Sequence, residues 1–157
     1  MLTTFSKWEP RIVCALAGWI LTMAGLSALQ NYVNSSTEPN TRPLWWADAN
    51  LPRLGAGTIF RLQWWTWVWT AITIVTLALA FASAVIGTTR LALVGFSTVA
   101  ALLNMVSANT CLDVVSQHIS PAHTSAARTA SAGYIISAIA FLALIYSVGL
   151  VHSAPRY

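Results

Sequence analysis

Four apolar stretches, each long enough to cross a lipid bilayer, take up most of this 157-residue chain. They run over Arg11–Val33, Trp64–Ile86, Leu91–Val115 and Thr129–His152. Each meets the requirement of about 20 residues for about 30 Å of hydrocarbon. Backbone polar groups inside hydrocarbon must bond within their own segment, so we expect helices. The sequence predicts an all-α membrane protein in which residues 1–157 form a single four-helix transmembrane domain.

Composition agrees with a membrane protein. Charged residues make up 8% of the chain and hydrophobic residues 57%, whereas soluble domains carry about 25% charged residues. The formal charge of +4 is spread along the chain. Such a distribution suits anionic lipid headgroups and does not form the clustered basic patch typical of nucleic-acid binding. We therefore expect membrane lipids, and no nucleic acid, among the partners.

The three connections between the spans differ in length. Residues 34–63 form a long irregular loop between the first and second helices, and loops of this length usually serve a function or act as linkers. Gly87–Arg90 is a tight turn, so the second and third helices should be antiparallel neighbours. The third connection, Ser116–Arg128, contains Pro121, and we expect His118 and His123 to lie in it as solvated loop residues.

Positive charges next to the spans leave the orientation open, because each side of the membrane receives four. Those on the side of the termini are Lys7, Arg11, Arg90 and Arg156, and those on the other side are Arg42, Arg53, Arg61 and Arg128. We expect both termini to face the cytoplasm, and we favour the plasma membrane. The first span follows positive charges, as a secretory signal does, but we expect it to be retained as the first helix.

Eight tryptophans are present, and most lie where the membrane–water boundary is expected. Four of them crowd the start of the second helix, and two more in the long loop are expected at interface depth: Trp64, Trp65, Trp67 and Trp69, and the pair Trp45 and Trp46. Indole rings prefer this boundary, so we interpret the six as an aromatic belt in contact with lipid. On a helix, Trp65 and Trp69 share one face while Trp64 and Trp67 share another. One of these faces is therefore available to a protein partner or to the long loop.

Small residues recur along one face of two helices. The first helix has Gly18, Thr22 and Gly25, and the fourth has Gly133, Ser137, Ala140 and Ser147. Such stripes allow two helix backbones to approach closely in a membrane. They would hold the four-helix bundle together, which is the default interpretation, or they would dock a second membrane protein. Both interpretations require the same spacing of small residues, so the spacing does not decide between them.

The third helix is the most polar of the four. Asn104 and Ser107 occupy one face together with Cys111, whereas Asn109 and Asp113 share a different face. Polar groups inside a membrane are costly and indicate a functional site by default. Asn104 lies deepest, while Asp113 lies near the helix end and reaches interfacial water.

For Asp113 we predict an interfacial ion pair with Arg128 or Arg61, because all three residues are expected on the same side of the membrane. A proton or cation path along the third helix is the alternative interpretation. A single carboxylate at a helix end favours the ion pair, since conduction paths usually contain several intramembrane charges.

Reactive side chains do not cluster along the sequence. Cys14 and Cys111 are near opposite ends of parallel helices, about 25 Å apart, whereas a disulfide needs Cα atoms within about 7 Å. We expect two free thiols. The histidines lack the three or four convergent ligands of a metal site, and no nucleophile–base pair or phosphate-binding loop is present. The sequence predicts no enzyme, with no catalytic residues, no metal residues and no cofactor.

The segment Ala127–Tyr134, which reads ARTASAGY, continues through Ser137, Phe141 and Ser147. This part of the chain resembles the fourth helix of MARVEL-type and related Casparian-strip-like tetraspan membrane proteins. The length, the four spans and the expected cytoplasmic termini are similar as well. The resemblance covers the last quarter of the chain. It implies a non-enzymatic organiser of membrane domains, or a companion of larger membrane proteins.

We therefore expect the chain to act as an accessory or structural subunit, or as a scaffold, of a larger membrane protein assembly through helix packing. Its partners would be membrane lipids and either a larger complex or further copies of the chain. The alternative is a small channel or transporter component with a polar path along the third helix. Transporters normally contain repeats, broken helices or several intramembrane charges, and these are not apparent in the sequence.

Overall fold

The computed structural model describes residues 9–35, 60–83, 86–116 and 121–150 of the chain. The described residues form four helices, α1 Glu9–Ser35, α2 Arg61–Ala82, α3 Ile86–Ser116 and α4 Pro121–Leu150. All four are long and apolar enough to cross a membrane. The predicted all-α four-helix bundle is confirmed. Most of the predicted long loop, residues 36–59 with Trp45 and Trp46, lies outside the described residues.

The turn between α2 and α3 lies earlier than predicted. Gly87–Arg90 was expected to form it, but α3 already begins at Ile86. α2 ends at Ala82, and the Ser83 N–H donates to the carbonyl oxygen of Leu79 at 2.9 Å. The predicted turn residues Gly87–Arg90 therefore belong to α3, and the two helices remain antiparallel neighbours.

The third connection is shorter than predicted because α4 starts at Pro121. Proline at the first helical position loses no hydrogen bond and has a backbone angle suited to a helix, so it begins α4 rather than breaking it. His123 was expected in a solvated loop and instead lies in α4, buried, with its ring centroid 5.3 Å from that of Tyr32 of α1. His118 lies outside the described residues.

α4 is the central helix of the bundle. It packs closely against α1 on one side and α3 on the other, whereas α2 packs more loosely against α3 and α1 and lies opposite α4. Between them the helices bury large side chains, among them Leu26, Leu77, Phe141 and Leu144. α1 and α3 end, and α2 and α4 begin, at the same end of the bundle, which we call the loop side.

The outer surface of the bundle is apolar. Exposed large hydrophobic side chains occur on every helix, including Ile20, Leu79, Leu91 and Ile139. Contiguous apolar surface on this scale is rare on soluble monomers and marks a surface that meets lipid or another protein. The surface and the four apolar spans together define a multi-pass membrane protein.

Candidate helix-packing and partner sites

The small-residue stripes of α1 and α4 meet each other. Gly18, Thr22, Gly25, Gly133 and Ser137 are all buried. A Cβ atom added at Gly18 would lie 2.9 Å from the carbonyl oxygen of Gly133, and one added at Gly133 would lie 2.8 Å from the carbonyl oxygen of Gly18. Each value is shorter than ordinary van der Waals contact, and the opposing atoms belong to backbone that cannot rotate away. The two helices approach this closely because these positions lack side chains.

The same contact extends to both ends of the stripe. On the loop side, a Cβ added at Gly25 would lie 2.9 Å from the carbonyl oxygen of Ala126. Towards the other end, Ala140 and Ser147 are buried, and the guanidinium of Arg11 on α1 donates to the hydroxyl of Ser147 on α4. The stripe predicted from the sequence is therefore used inside the bundle, as the default interpretation proposed.

A polar seam joins α2 to α3 inside the bundle. Thr66 Oγ1 and Ser107 Oγ are 2.9 Å apart, and Asn104 Nδ2 donates to Thr70 Oγ1 at 2.9 Å and to the Ala100 carbonyl oxygen at 2.7 Å. Thr66 already gives its own proton to the Leu62 carbonyl oxygen, so Ser107 is the donor in their pair. Asn104 and Ser107, predicted to share a face, are both buried and both bond across to α2.

The seam reaches α4 through a tyrosine. The Tyr134 hydroxyl donates to the backbone carbonyl oxygen of Gln63 at 2.9 Å and links the two helices that lie opposite each other. Gln63 is itself 2% exposed, and its side-chain oxygen makes no hydrogen bond to a described residue. Unpaired buried oxygens of this kind are costly where water is scarce.

The contribution of α2 to this seam was not predicted from the sequence. Gln63, Thr66, Thr70 and Thr73 recur at helical spacing and are all buried. That spacing is visible in the sequence, but threonine is common in membrane helices and gives a weak signal. Beyond Thr73 most of the core is apolar, with Leu77, Phe81, Leu93, Phe141 and Leu144. The seam thus occupies the loop-side half of the bundle.

The lipid-facing side of α3 carries a second regular pattern. Its members are exposed and recur at alternating spacings of four and three residues; this outer stripe of α3 consists of Gly95, Val99, Leu102, Val106, Asn109 and Asp113. The spacing matches the a and d positions of a heptad repeat, which keeps one seam of a helix directed at a neighbouring helix. No described helix of the chain covers it. This pattern was not predicted from the sequence, because apolar residues occur on every face of the helix.

The exposed Asp113 was predicted to pair with Arg128 or Arg61. All three side chains are exposed, and among the described residues no ion pair joins the carboxylate to either guanidinium. The pairing stays a prediction. Asn109, predicted to share a face with Asp113, is also exposed, one turn closer to the membrane centre.

The tryptophans at the start of α2 bridge to α1. The Trp67 and Trp19 rings stack at 4.7 Å with an interplanar angle of 13°, and the Trp64 indole N–H donates to Gln30 Oε1 at 2.6 Å. Trp65 is 63% exposed and Trp69 packs against Phe96 of α3 at 5.4 Å. The face with Trp64 and Trp67 is therefore covered by this chain's own first helix, and Trp65 faces outward.

Metal-ligand and thiol chemistry have little support in the described part of the chain. No group of three His, Cys, Asp or Glu residues converges there. Cys14 is exposed and Cys111 is buried, and both are free thiols as predicted. No family model, curated protein or solved structure matches the chain. The likeness to MARVEL-type proteins stays a prediction.

Proposed function

We propose that this protein is an accessory or structural subunit of a larger membrane protein assembly, and that it docks through the outer stripe of α3. The observation that carries the proposal is Gly95. A Cβ added there would meet no described atom within 4 Å, so nothing in the described part of the chain requires a glycine. In a helix interior, glycine costs about 1 kcal/mol relative to alanine.

The other glycines with described surroundings support this interpretation. Gly18, Gly25 and Gly133 each lie where a second helix backbone touches the α-carbon. By the same logic, Gly95 suits a helix that approaches α3 from outside the bundle. Val99, Leu102 and Val106 continue the stripe at heptad spacing, and membrane helix pairs mostly cross at the shallow left-handed angle that this spacing serves.

The charge on the stripe favours a partner of a different kind over a second copy. Two copies in the same orientation that met along this stripe around a two-fold axis would bring Asp113 close to its own equivalent. Like charges in such a pair are unfavourable. The partner that fits is an apolar transmembrane helix with a lysine or arginine at the loop-side boundary, where it would pair with Asp113 and receive a hydrogen bond from Asn109.

The proposal is tested by purifying the tagged protein from its native membrane in mild detergent, followed by native-gel sizing and mass spectrometry. We expect a partner at fixed stoichiometry, lost from Gly95→Leu and Asp113→Lys variants because the first blocks close approach and the second reverses the charge. Ala78→Leu, an exposed change on the lipid-facing side of α2, is the control and should retain the partner. A lone monomer, or equal retention by all variants, would contradict the proposal.

The second candidate is a channel or transporter component, and the polar seam of Thr66, Thr70, Asn104 and Ser107 favours it. The apolar half of the core weighs against conduction through one bundle. Recovery of a homo-oligomer that conducts ions in vesicles without any other protein would move the assignment to this candidate.

A further inference from the structure

A groove of about 320 Å³ lies between α1 and α4 on the loop side. Small residues form its walls, among them Ala24, Gly25 and Ala28 of α1 and Ala126 of α4. Hydroxyl groups stand around it on Tyr32, Ser125 and Thr129. The groove therefore combines an apolar floor with a rim of hydrogen-bonding groups.

The depth of the groove places it at the level of lipid headgroups. Ser147, which contacts Arg11 at the far end of α1, follows Arg128 on α4 by 19 residues, which is about 29 Å of helix. We take the Arg11–Ser147 contact as the opposite boundary of the hydrocarbon, because the guanidinium is charged. A hydrocarbon layer about 30 Å thick then places Arg128 at the loop-side boundary. The groove crosses this boundary, since Ala122 and Ser125 precede Arg128 while Thr129 follows it.

An aromatic contact supports this depth. Trp64, at the start of α2, donates its indole N–H to Gln30 Oε1 of α1, and Gln30 lies between the groove residues Ala28 and Tyr32. Tryptophan prefers the boundary between headgroups and hydrocarbon. Trp64 and the groove therefore lie at similar depths in the membrane.

A positive charge next to the groove favours an anion, although Arg128, which carries it, is not one of the lining residues. Arg128 follows Ser125 by three residues and so lies beside it on the surface of α4. Arg128 is exposed, and no carboxylate among the described residues pairs with its guanidinium. Arginine binds phosphate oxygens through two parallel N–H donors, and α4 has no acidic residue in its first turn to compete.

We propose that this groove binds an anionic phospholipid, with the phosphate held by Arg128 and Ser125 and the glycerol region seated on the alanine floor. The site is separate from the outer stripe of α3 and does not depend on the proposed function. A phospholipid fits where a soluble anion would not, because the groove opens beside hydrocarbon and its floor is apolar.

Native mass spectrometry of the purified protein, exchanged into detergent with defined mixtures of phosphatidylglycerol and phosphatidylcholine, tests the site. We expect one phosphatidylglycerol to be retained preferentially. Arg128→Gln should weaken its binding about tenfold, the size of one charge-assisted hydrogen bond, and Ser125→Leu should abolish it by filling the groove. Arg61→Gln and Ala132→Leu, exposed changes outside the groove, are the controls. Equal retention of both lipids, or equal losses in Arg61→Gln and Arg128→Gln, would overturn the proposal.

Photocrosslinking distinguishes a bound lipid from a segment of this protein or a second copy of it in the groove. With p-benzoylphenylalanine at position 122, illumination in native membranes should add the mass of one phospholipid to the protein. A link within the chain to residues 36–59, or a product of twice the mass, would show instead that a segment of this protein or a second copy fills the groove, and either result would overturn the proposal.

Discussion

The glycines of the membrane helices are of two kinds. Some lie where two helices of this chain touch, and one lies on the outer surface, where a partner could bind. Cβ atoms added at Gly18, Gly25 and Gly133 would meet backbone of the opposite helix, whereas Gly95 is exposed and a Cβ added there would meet no described atom within 4 Å. Close backbone approach is the main source of helix association in lipid, since the hydrophobic effect does not favour one apolar helix surface over another there. An added methyl group should therefore destabilise the fold at Gly18, Gly25 or Gly133, and should not destabilise it at Gly95.

Gly25→Ala should lower the free energy of unfolding by about 1–3 kcal/mol, because the added methyl overpacks against the backbone of Ala126 and Ala130. Gly95→Ala should leave it unchanged or raise it by up to about 1 kcal/mol, because the site is open and alanine favours helix. Equilibrium unfolding of the purified monomer in mixed detergent micelles, followed by circular dichroism, compares the two. Equal effects would show that the α1–α4 contact is looser than described.

Pairs of helices are joined by two different kinds of contact. α1 and α4 meet through backbone at their small residues, whereas α2 and α3 meet through side-chain hydrogen bonds between Thr66 and Ser107 and between Thr70 and Asn104. Interhelical hydrogen bonds in membranes contribute on average about 0.6 kcal/mol and at most about 1.7 kcal/mol. The α2–α3 pair should therefore be the more easily separated.

Thr70→Val removes the oxygen that Asn104 contacts while it keeps the shape of the side chain. We expect it to lower the free energy of unfolding by about 1 kcal/mol, since a buried amide donor loses one partner. The matched control is Thr76→Val, because among the described residues the Thr76 hydroxyl bonds only to the Ile72 carbonyl oxygen of its own helix. The measurement is unfolding in mixed micelles, with Asn104→Ala added for a double-mutant cycle. A coupling energy near zero would rule out a stabilising role for this bond.

The molecule as a whole has an apolar outer surface and an interior that is polar in one half and apolar in the other. Buried hydroxyls and an amide on α2 and α3 face one another in the loop-side half, large hydrophobic side chains fill most of the other half, and further large hydrophobic side chains on all four helices face outward. This arrangement suits hydrocarbon, because lipid satisfies no hydrogen bond and the helices satisfy one another. Four spans also return the chain to the side of the membrane on which it began.

We accordingly propose that the N- and C-termini lie on the same side, and that this side is the cytoplasm. Reporter fusions at each terminus and within residues 36–59, using a fluorescent protein that folds only in the cytoplasm and a phosphatase active only outside it, measure this directly. We expect cytoplasmic signal from both terminal fusions and external signal from the loop fusion. Signals on opposite sides for the two termini would contradict the four-span arrangement, and two external termini would reverse the orientation.

The sequence predicted the structure best where a single local property, such as the length of an uncharged stretch or the spacing of residues on a helix, decides it. The length and low charge of the four stretches predicted four spanning helices, and periodicity placed Asn104 and Ser107 on a different face of α3 from Asn109 and Asp113. Both predictions agree with the structure because they depend on the local geometry of a helix. The start of α4 was missed, because Pro121 is compatible with either a loop or a first helical turn.

The sequence by itself determined that this is a four-helix membrane protein, because long uncharged stretches have no other stable form in hydrocarbon. Only the tertiary structure decided which faces meet. α1 and α4 place their glycines against each other, and α3 leaves Gly95 and Asp113 outside. Apolar residues occur on every face of these helices, so the hydrophobic periodicity alone does not separate the surfaces that meet lipid from those that meet protein. Which helices pack together depends on how closely their backbones can approach. That distance is a property of the pair of helices and not of either sequence alone.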